Sequence, residues 1–408
     1  MERKYQSHRE LYELIKGSAD PETKPVAEWL RGIFEAVDEG KPLVYHQFTL
    51  FSELMVALGI QPLCCESWNV IRLNLDMYAA TKSIDAAHEA GIPEDLCSFD
   101  KAIIGSVLLE TIPPPTMIVL PSMPCQNSSI TYQIVAQITG APMWVCDIPY
   151  NMDEEGAMEY WVKQYKGIIP FLEEHSKKKM DYDRLKAVVE ESNRLTEYWL
   201  EFLELQKLKP APWTGTFGIG VRAALFSFGN PMSTAAVKYA LDKVKDRVVN
   251  GKVPASEEKV RVIWFHFPVF WDTKLISWMK EMGAVVPFVL NDDYRPEPID
   301  TSNVETMIRG MARRTLMAPM GSLGRGAFDA FIEELLYVVA EWKGDCVIIA
   351  AHPGCKWLTG GYGLIRDECR ERGIPVMLFD LDLVDPRVTS PEESRSRIEQ
   401  FLNMVMTR

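Results

Sequence analysis

Three cysteines stand in turns of the same kind, each placed where a loop leads into a helical run. Cys97 lies in "LCSFDKAIIG", Cys125 in "PSMPCQNSS" after the strand-like run "TMIVL", and Cys355 in "AAHPGCKWLTGG" after the strand-like run "DCVII". Backbone N–H groups at the start of a helix favour the thiolate, the form of cysteine that binds metal. Three thiolates leave iron or zinc one coordination position short, which suits a site that binds substrate. Spacing alone leaves open the alternative that these are ordinary half-buried thiols.

The other five cysteines do not share this context. Cys146 and Cys346 lie within strand-like runs and Cys369 within a helical run, so we expect these three to pack in the core. The pair Cys64 and Cys65 has no third partner nearby in the sequence. No two cysteines are spaced as C-x-x-C, so the zinc-ribbon, bacterial-ferredoxin and thioredoxin motifs are absent. Any metal site must therefore be assembled from distant turns.

The cysteine turns belong to a strand–helix–strand pattern that recurs in both halves of the chain. Strand-like apolar runs, with helical runs between them, cover residues 42–49, 116–122, 141–149, 260–268, 284–290, 345–351 and 374–382. This alternation predicts an α/β protein with two Rossmann-like domains, each built on a parallel sheet. Ligands of such sheets lie just beyond the carboxyl ends of the strands, where the cysteine turns are found.

We divide the chain into four parts. An N-terminal helical segment covers residues 1–38, a first α/β domain 39–152, a helical bridge 153–209 and a second α/β domain 210–408. The bridge is charged and helical and ends at "LKPAPW", where prolines stop a helix. At 408 residues the chain is long enough for two well-packed cores.

Composition excludes several classes of function. The net charge of −13 argues against nucleic-acid binding, which needs a basic surface. No segment is apolar for long enough to cross a bilayer or to act as a signal peptide, so we expect a cytoplasmic protein without a membrane partner. Eight cysteines are too few for a disulfide scaffold. The glycine-containing runs at 214–222 and 309–326 match neither the dinucleotide fingerprint nor the Walker A motif, so no ATP site is expected on this chain.

Jointly and in order, the three cysteine turns and the stretch "SELMVALGIQPL" resemble the 2-hydroxyacyl-CoA dehydratase family, which also includes the benzoyl-CoA reductase subunits. The likeness spans most of the chain and is nearest to the α subunits of clostridial dehydratases for 2-hydroxyisocaproyl-CoA or phenyllactyl-CoA. It implies a [4Fe–4S] cluster with one iron not held by cysteine, bound by Cys97, Cys125 and Cys355. One turn departs from the family pattern, because Gln126 follows its cysteine where an acidic residue is common. Cys146, which Asp147 follows, is the alternative ligand.

The resemblance also implies a reaction and two protein partners. The reaction is that of a hydro-lyase of anaerobic amino-acid fermentation: an (R)-2-hydroxyacyl-CoA loses water to give the (E)-2-enoyl-CoA. One electron placed on the thioester carbonyl, whose oxygen the open iron binds, makes the ketyl radical that expels the hydroxide. The implied partners are a homologous β subunit, which carries its own cluster in the heterodimer, and a separate ATP-dependent iron–sulfur activator.

Such a reaction needs a base and an acid beside the cluster. The run "VYHQFTLFSELM", at the end of the first strand and the start of its helix, offers His46 and Glu53 as catalytic residues and Ser52 as a hydrogen-bonding accessory. A glutamate in the first turn of a helix also serves as a partner of the helix dipole, which leaves a structural role for Glu53 open. His352 is expected either to orient the Cys355 turn or its substrate, or to be an ordinary turn residue.

The phosphates of coenzyme A require cations, which an acidic protein must concentrate. The densest basic run, residues 309–326, holds Arg313, Arg314 and Arg325, although a solvated helix face is the favoured explanation of that run. Two other functions stay open. A benzoyl-CoA-reductase-type subunit would share the fold and the cluster but reduce a ring. A non-redox, two-domain ligand-binding protein would share the paired lobes but would not need thiols at its cleft.

Overall fold

The computed structural model describes residues 5–21, 23–214, 227–251, 257–290, 292, 294–318 and 320–407. Most of the glycine-containing run at 214–222 therefore lies outside the described residues. Within the described part of the chain, no helix is both long enough and apolar enough to cross a membrane.

The first sheet has four parallel strands in the order β2-β1-β3-β4. The strands are β1 (Leu43–His46), β2 (Gln61–Cys64), β3 (Met117–Pro121) and β4 (Met143–Cys146). Every residue of β1 and β3 is buried, as expected of central parallel strands covered by helices on both faces. The helices before and between the strands are α1 (Gln6–Ile15), α2 (Lys24–Glu39), α3 (Glu53–Leu58), α4 (Cys65–Leu75), α5 (Thr81–Glu89), α6 (Ser98–Leu108) and α7 (Gln126–Thr139).

A run of helices connects the two sheets. These are α8 (Ala157–Lys166), α9 (Ile168–Ser176), α10 (Tyr182–Gln206) and α11 (Pro231–Val249). The long helix α10 begins at Asp181, whose carboxylate accepts hydrogen bonds from the N–H groups of Asp183 and Arg184. Such a cap satisfies donors that the first turn leaves unpaired, which fixes where the helix starts.

The second sheet repeats the plan of the first, with four parallel strands in the order β6-β5-β7-β8. The strands are β5 (Val260–Trp264), β6 (Ala284–Val289), β7 (Cys346–Ala351) and β8 (Val376–Asp380). Its helices are α12 (Leu275–Glu281), α13 (Val304–Leu316), α14 (Asp329–Glu341), α15 (Lys356–Gly360), α16 (Tyr362–Glu371) and α17 (Pro391–Met406).

The predicted fold class is confirmed: the protein is α/β, with two four-stranded parallel sheets arranged as two Rossmann-like domains. The domain boundaries stay predictions, and packing crosses them. Met307 and Met311 of α13 pack in the core beneath the first sheet, together with Leu54. In the opposite direction, Leu73 and Ile84 from the first half pack in a core of the second sheet. These exchanged contacts hold the two sheets against each other.

Candidate functional site

A cavity of about 920 Å³ lies between the two sheets, and we call it the inter-sheet cavity. Its walls include residues at or just after the carboxyl ends of β1, β3, β5 and β7, among them His46, Cys125, His266 and His352. The carboxyl ends of both sheets therefore face one space, which is where open parallel sheets place their ligands. Its volume lies in the usual range for small-molecule sites.

Cys97, Cys125 and Cys355 all line the inter-sheet cavity. Each is the residue at which a helix begins: Cys97 precedes α6, Cys125 precedes α7 and Cys355 precedes α15. All three are free thiols. The structure thus brings together three cysteines that lie far apart in the sequence.

The Cys355 turn contacts each of the other two cysteine turns. A Cβ atom added to Gly354 would lie 2.4 Å from the Cα atom of Cys97, so only glycine permits this approach. The side-chain amide of Asn127, two residues after Cys125, donates a hydrogen bond to the carbonyl oxygen of Gly354 at 3.3 Å. One main-chain contact and one side-chain hydrogen bond therefore help to fix the spacing between the turns, in addition to the sheets.

Burial keeps the three thiols protonated in the absence of a bound cation. Desolvation raises the pKa of Cys97 well above its ordinary value, that of Cys125 to about 12 and that of Cys355 to about 11. Backbone N–H groups at the helix starts do lower the pKa of Cys125 and Cys355, as expected, but desolvation outweighs them. A coordinated metal reverses this balance, since it deprotonates a thiol outright.

The donor set fits a multi-iron cluster better than a single ion. Among the described residues, no three His, Cys, Asp or Glu side chains are grouped closely enough to hold one metal ion. In an iron–sulfur cluster each cysteine binds a different iron, so the sulfur atoms stand farther apart than ligands of one ion. The three thiols line one cavity, and Cys97 lies close enough to Cys125 and Cys355 to interact with both electrostatically, so the donor set suits a cluster held between the three turns.

His352 contacts the Cys97 thiol from the other half of the chain. Its Nδ1 atom accepts a hydrogen bond from the N–H of Leu383 at 3.3 Å, so its Nε2 atom carries the proton. That Nε2 lies 3.2 Å from the Sγ atom of Cys97 and donates to it. Hydrogen bonds of this kind orient a ligand and stabilise its charged form.

Glu66 is a candidate catalytic residue that the sequence analysis missed. It lies in the first turn of α4 and lines the inter-sheet cavity. Its Oε2 atom accepts hydrogen bonds from the Tyr132 hydroxyl at 3.1 Å and the Cys64 thiol at 3.2 Å. Burial raises the pKa of Glu66 to about 7. A carboxyl group that titrates near neutral pH can both accept and return a proton.

Asp100 is a second carboxyl group that the sequence analysis did not select. It lies three residues after Cys97, is 4% exposed, and lines the inter-sheet cavity. Burial raises the pKa of Asp100 to about 6. Together with Glu66, it gives the thiol side of the cavity two carboxyl groups that titrate close to neutral pH.

Of the three predicted catalytic residues, only His46 lines the inter-sheet cavity. Its Nδ1 atom lies 3.1 Å from the carbonyl oxygen of Gln47, so Nδ1 carries the proton and Nε2 the lone pair. Burial lowers the pKa of His46 to about 4, so the ring is neutral at neutral pH.

Glu53 and Ser52 are engaged elsewhere. The Oε1 atom of Glu53 accepts a hydrogen bond from Nη1 of Arg314 at 2.8 Å, and both side chains are 1% exposed. The hydroxyl of Ser52 donates to the carbonyl oxygen of Phe228 at 3.2 Å, and Ser52 borders a separate, smaller pocket. Neither residue is among those that line the inter-sheet cavity.

The three arginines proposed for coenzyme A are not brought together on the cavity wall. Arg313 is exposed and lies 3.6 Å from Glu297, while Arg314 is buried against Glu53. The solvated helix face favoured for this run is therefore wrong for Arg314. Arg325 is not among the residues that line the cavity, although Gly324 and Gly326 beside it are.

The remaining cysteines divide between the core and the cavity. Cys346 and Cys369 are buried in core clusters, as expected. Cys146, the alternative ligand, packs in the core beneath the first sheet, whereas Cys125 lines the cavity. Cys64, which had no partner in the sequence, also lines the cavity, beside Glu66.

Two parallel sheets that enclose a thiol-lined cavity define a protein of two Rossmann-like domains with a candidate ligand site between them. The chain belongs to the 2-hydroxyglutaryl-CoA dehydratase D-component family, whose model matches residues 49–405. The resemblance drawn from the cysteine turns is thereby confirmed at the level of the family.

Three curated relatives show the range of this similarity. One of the benzoyl-CoA reductase subunits of Thauera aromatica is 26% identical, over 78% of this chain and 78% of its own length. The (R)-phenyllactyl-CoA dehydratase alpha subunit of Clostridium sporogenes is also 26% identical, over 78% of this chain and 79% of its own. The (R)-2-hydroxyisocaproyl-CoA dehydratase alpha subunit of Clostridioides difficile is 22% identical, over 94% and 95%.

Proposed function

We propose that this chain is the iron–sulfur subunit of an (R)-2-hydroxyacyl-CoA dehydratase, which removes water to give the (E)-2-enoyl-CoA. The observation that carries the proposal is the convergence of Cys97, Cys125 and Cys355 on one cavity, beside a carboxyl group, Glu66, that titrates near neutral pH. The names of the dehydratase relatives support the reaction class.

The three cysteines would hold a [4Fe–4S] cluster with one iron left for a ligand from outside the chain. When bound, such a cluster supplies a strongly reducing electron and a Lewis acid for the thioester carbonyl. His352 keeps the Cys97 sulfur in position by donating a hydrogen bond to it. The main-chain contact between Gly354 and Cys97 fixes the distance between two of the turns.

The chain's own task is to move protons. Elimination takes a hydroxyl from C2 and a proton from C3, and the two leave as one water molecule, so there is no net oxidation. Glu66 is held by Tyr132 and Cys64 and has a pKa of about 7, which suits a group that takes one proton and returns it. The neutral His46 offers the lone pair of Nε2 as a hydrogen-bond acceptor. The predicted catalytic role of Glu53 stays a prediction, and the same assays test it.

The relatives named as alpha subunits support a partner chain. The proposal includes two partners, a homologous β subunit with its own cluster and an ATP-dependent iron–sulfur activator. We also propose that the protein works in the cytoplasm. Pull-down of a tagged chain under anaerobic conditions, with mass spectrometry of the captured protein, tests the first partner.

The ligand assignment is tested by anaerobic purification with iron and acid-labile sulfide counts. We expect Cys97→Ala, Cys125→Ala and Cys355→Ala each to lose iron, whereas Cys369→Ala, a buried thiol away from the cavity, keeps the wild-type content. Cys146→Ala distinguishes the alternative ligand and is expected to keep its iron. Full iron content in all three cavity variants would overturn the assignment.

A second candidate is a benzoyl-CoA-reductase-type subunit, because the Thauera aromatica relative matches as well as the phenyllactyl-CoA dehydratase does. The two reactions differ in the number of electrons consumed, since ring reduction consumes two electrons per turnover and dehydration consumes none. Product analysis with benzoyl-CoA and with a 2-hydroxyacyl-CoA, with reductant consumption measured, separates them.

A further inference from the structure

One side of the inter-sheet cavity is formed by four phenylalanines from both halves of the chain, and we call it the aromatic wall. Phe48 follows β1, Phe99 lies in the first turn of α6, and Phe267 and Phe270 follow β5. Phe48 and Phe267 pack edge to face with ring centroids 5.8 Å apart, and Phe99 and Phe270 do so at 5.2 Å. Each ring is only partly buried, so it presents apolar surface to the cavity. Covering such surface with an apolar ligand is favourable.

The described residues of the cavity wall offer a second carboxylate no cation that is free of an acidic partner. Among the described residues, Lys356 is the only lysine or arginine on the wall. Its Nζ atom lies 3.0 Å from Asp95, and both side chains are more than half exposed. Glu66, Asp100 and Asp272 are the acidic residues of the wall. An acyl chain that ends in a carboxylate would therefore lose its hydration without gaining an opposite charge.

His266 is the unpartnered polar group beside the aromatic wall. Its ring is 2% exposed and lines the cavity, and within the described residues neither ring nitrogen has a hydrogen-bond partner. Burial lowers the pKa of His266 to about 3, so the ring is neutral and offers one donor and one acceptor. It lies beside Phe267 and close enough to His352 for the two rings to interact electrostatically, which places it toward the thiols. A buried polar group of this kind is stabilised when a ligand pairs with it.

We infer that the substrate carries an uncharged acyl chain, aryl or branched alkyl, that packs against the aromatic wall while His266 hydrogen-bonds an oxygen at the carbonyl end of the acyl group. This inference rests on the proposed function and narrows its substrate class. It excludes acyl chains that end in a second carboxylate. The cavity would select its substrate through the apolar contact area of the aromatic wall and through the lack of a free cation on the described part of that wall. Phe267 and Phe270 are the residues that set this selectivity.

The test measures affinity, so it does not depend on turnover. Phenylpropanoyl-CoA, isocaproyl-CoA, glutaryl-CoA and free coenzyme A are titrated by calorimetry into the anaerobically purified full-length chain. We expect the two apolar esters to bind at least ~10-fold more tightly than glutaryl-CoA or free coenzyme A. Burial of an apolar group as large as these acyl chains contributes enough free energy for a tenfold gain in affinity. If glutaryl-CoA binds as tightly as the apolar esters, the acyl-chain inference is overturned and the proposed function stands. If no ester binds more tightly than coenzyme A does, both fail.

Variants locate the effect. Phe270→Arg is expected to reverse the order of the affinities for glutaryl-CoA and phenylpropanoyl-CoA. Phe270→Ala is a milder change, for use should the arginine variant not fold, and is expected to weaken the binding of both apolar esters. The matched control is Phe171→Ala, a half-buried ring that packs against Trp144 away from the cavity, which should leave all affinities unchanged. His266→Leu is expected to weaken both apolar esters by about 5- to 10-fold, the value of one hydrogen bond in a buried site. Unchanged affinity in His266→Leu would remove His266 from the inference.

Discussion

The Nε2 atom of His352 lies 3.2 Å from the Sγ atom of Cys97, and this contact joins the two halves of the chain at the thiol end of the cavity. Because the N–H of Leu383 fixes the tautomer, His352 is a donor to the sulfur. This geometry suits a positioning residue that acts through Cys97 and that would stabilise the thiolate form which Cys97 takes as a metal ligand.

We expect His352→Phe to reduce iron retention or turnover by about 10- to 100-fold, the usual cost of losing a residue that orients a metal ligand. Hydrogen bonds to the sulfur atoms also tune a cluster's potential, so the midpoint potential of any iron that remains should fall. His352→Gln, which keeps a donor, should recover part of both properties. Iron content and potential equal to those of wild type in His352→Phe would show that the contact is incidental.

Glu66→Gln is expected to reduce dehydration by about 10²- to 10⁴-fold, the range for loss of a general acid or base. The amide keeps the size and the hydrogen-bond acceptor that Tyr132 and Cys64 contact, so the fold and the iron content should not change. Turnover on an (R)-2-hydroxyacyl-CoA with the activator present is the measurement. Retained turnover would exclude Glu66 from the proton transfer.

Tyr132→Phe tests the role of Glu66 through the pH dependence of the reaction rate. The Tyr132 hydroxyl donates to Glu66 Oε2, which favours the charged carboxylate. Its loss should raise the pKa of Glu66 above about 7 and move the corresponding limb of the pH–rate profile to higher pH. A lower rate with an unshifted profile would indicate that Tyr132 has only a structural role.

We expect the fold to depend for its stability on the buried ion pair between Glu53 and Arg314 remaining complete. Both side chains are 1% exposed, and Arg314 also donates to Asn193 of α10. Removing one member of a buried pair leaves an uncompensated charge and costs about 3–5 kcal/mol, whereas an apolar replacement of both costs far less. We therefore expect Glu53→Leu to lower the free energy of unfolding strongly and Glu53→Leu with Arg314→Met to restore most of it.

The matched control is the exposed pair Arg309 and Glu159, in which the side chains are 40% and 68% exposed. Arg309→Ala should change the free energy of unfolding by less than about 1 kcal/mol. Turnover per folded molecule in Glu53→Gln tests the predicted catalytic role: a loss of rate without a loss of stability would support that role and contradict the structural one.

The sheets were predictable from the sequence because their central strands are continuous apolar runs. "MIVLP" and "CVIIAA" are buried at every position, and that pattern is visible without a structure. The strand β2 was missed, since "QPLC" has only four residues, begins with a polar side chain and contains a proline. Missing β2 hid Glu66, because the turn after a parallel strand is where a functional side chain is expected.

The cysteine turns were also visible in the sequence, but their surroundings were not. Glu53 was selected for its position at the start of a helix near β1, and nothing in the sequence shows that Arg314, 261 residues later, is its partner. Likewise, local sequence shows the helix start that favours a thiolate, whereas desolvation of the thiols depends on how the whole chain packs. Pairings and burial across the two halves are tertiary properties, so single-sequence patterns did not supply them.

His8 gives the protein a pH dependence of stability that is independent of the cavity. Its ring is 1% exposed, stacks on Trp68 with centroids 3.5 Å apart, and its Nε2 lies 3.0 Å from the Trp68 carbonyl oxygen. Burial lowers the pKa of His8 to about 3 from an ordinary value of 6.5. Between these two values the unfolded chain binds a proton that the folded chain does not. This contribution to stability is therefore complete above pH 6.5 and is lost as the pH falls toward 3.

The loss should be about 1.4 kcal/mol per pH unit within that range, because one proton is taken up on unfolding. His8→Phe keeps an aromatic ring against Trp68 but removes the proton, so its free energy of unfolding should decline less steeply below pH 6.5 than that of wild type. Glu66 and Asp100 act in the opposite direction but are common to both proteins, so they cancel in the difference. Guanidinium unfolding at several pH values measures the difference in the free energy of unfolding between His8→Phe and wild type. Parallel stability curves for the two proteins would mean that the pKa of His8 is the same in the folded and the unfolded chain, and they would contradict the effect of burial.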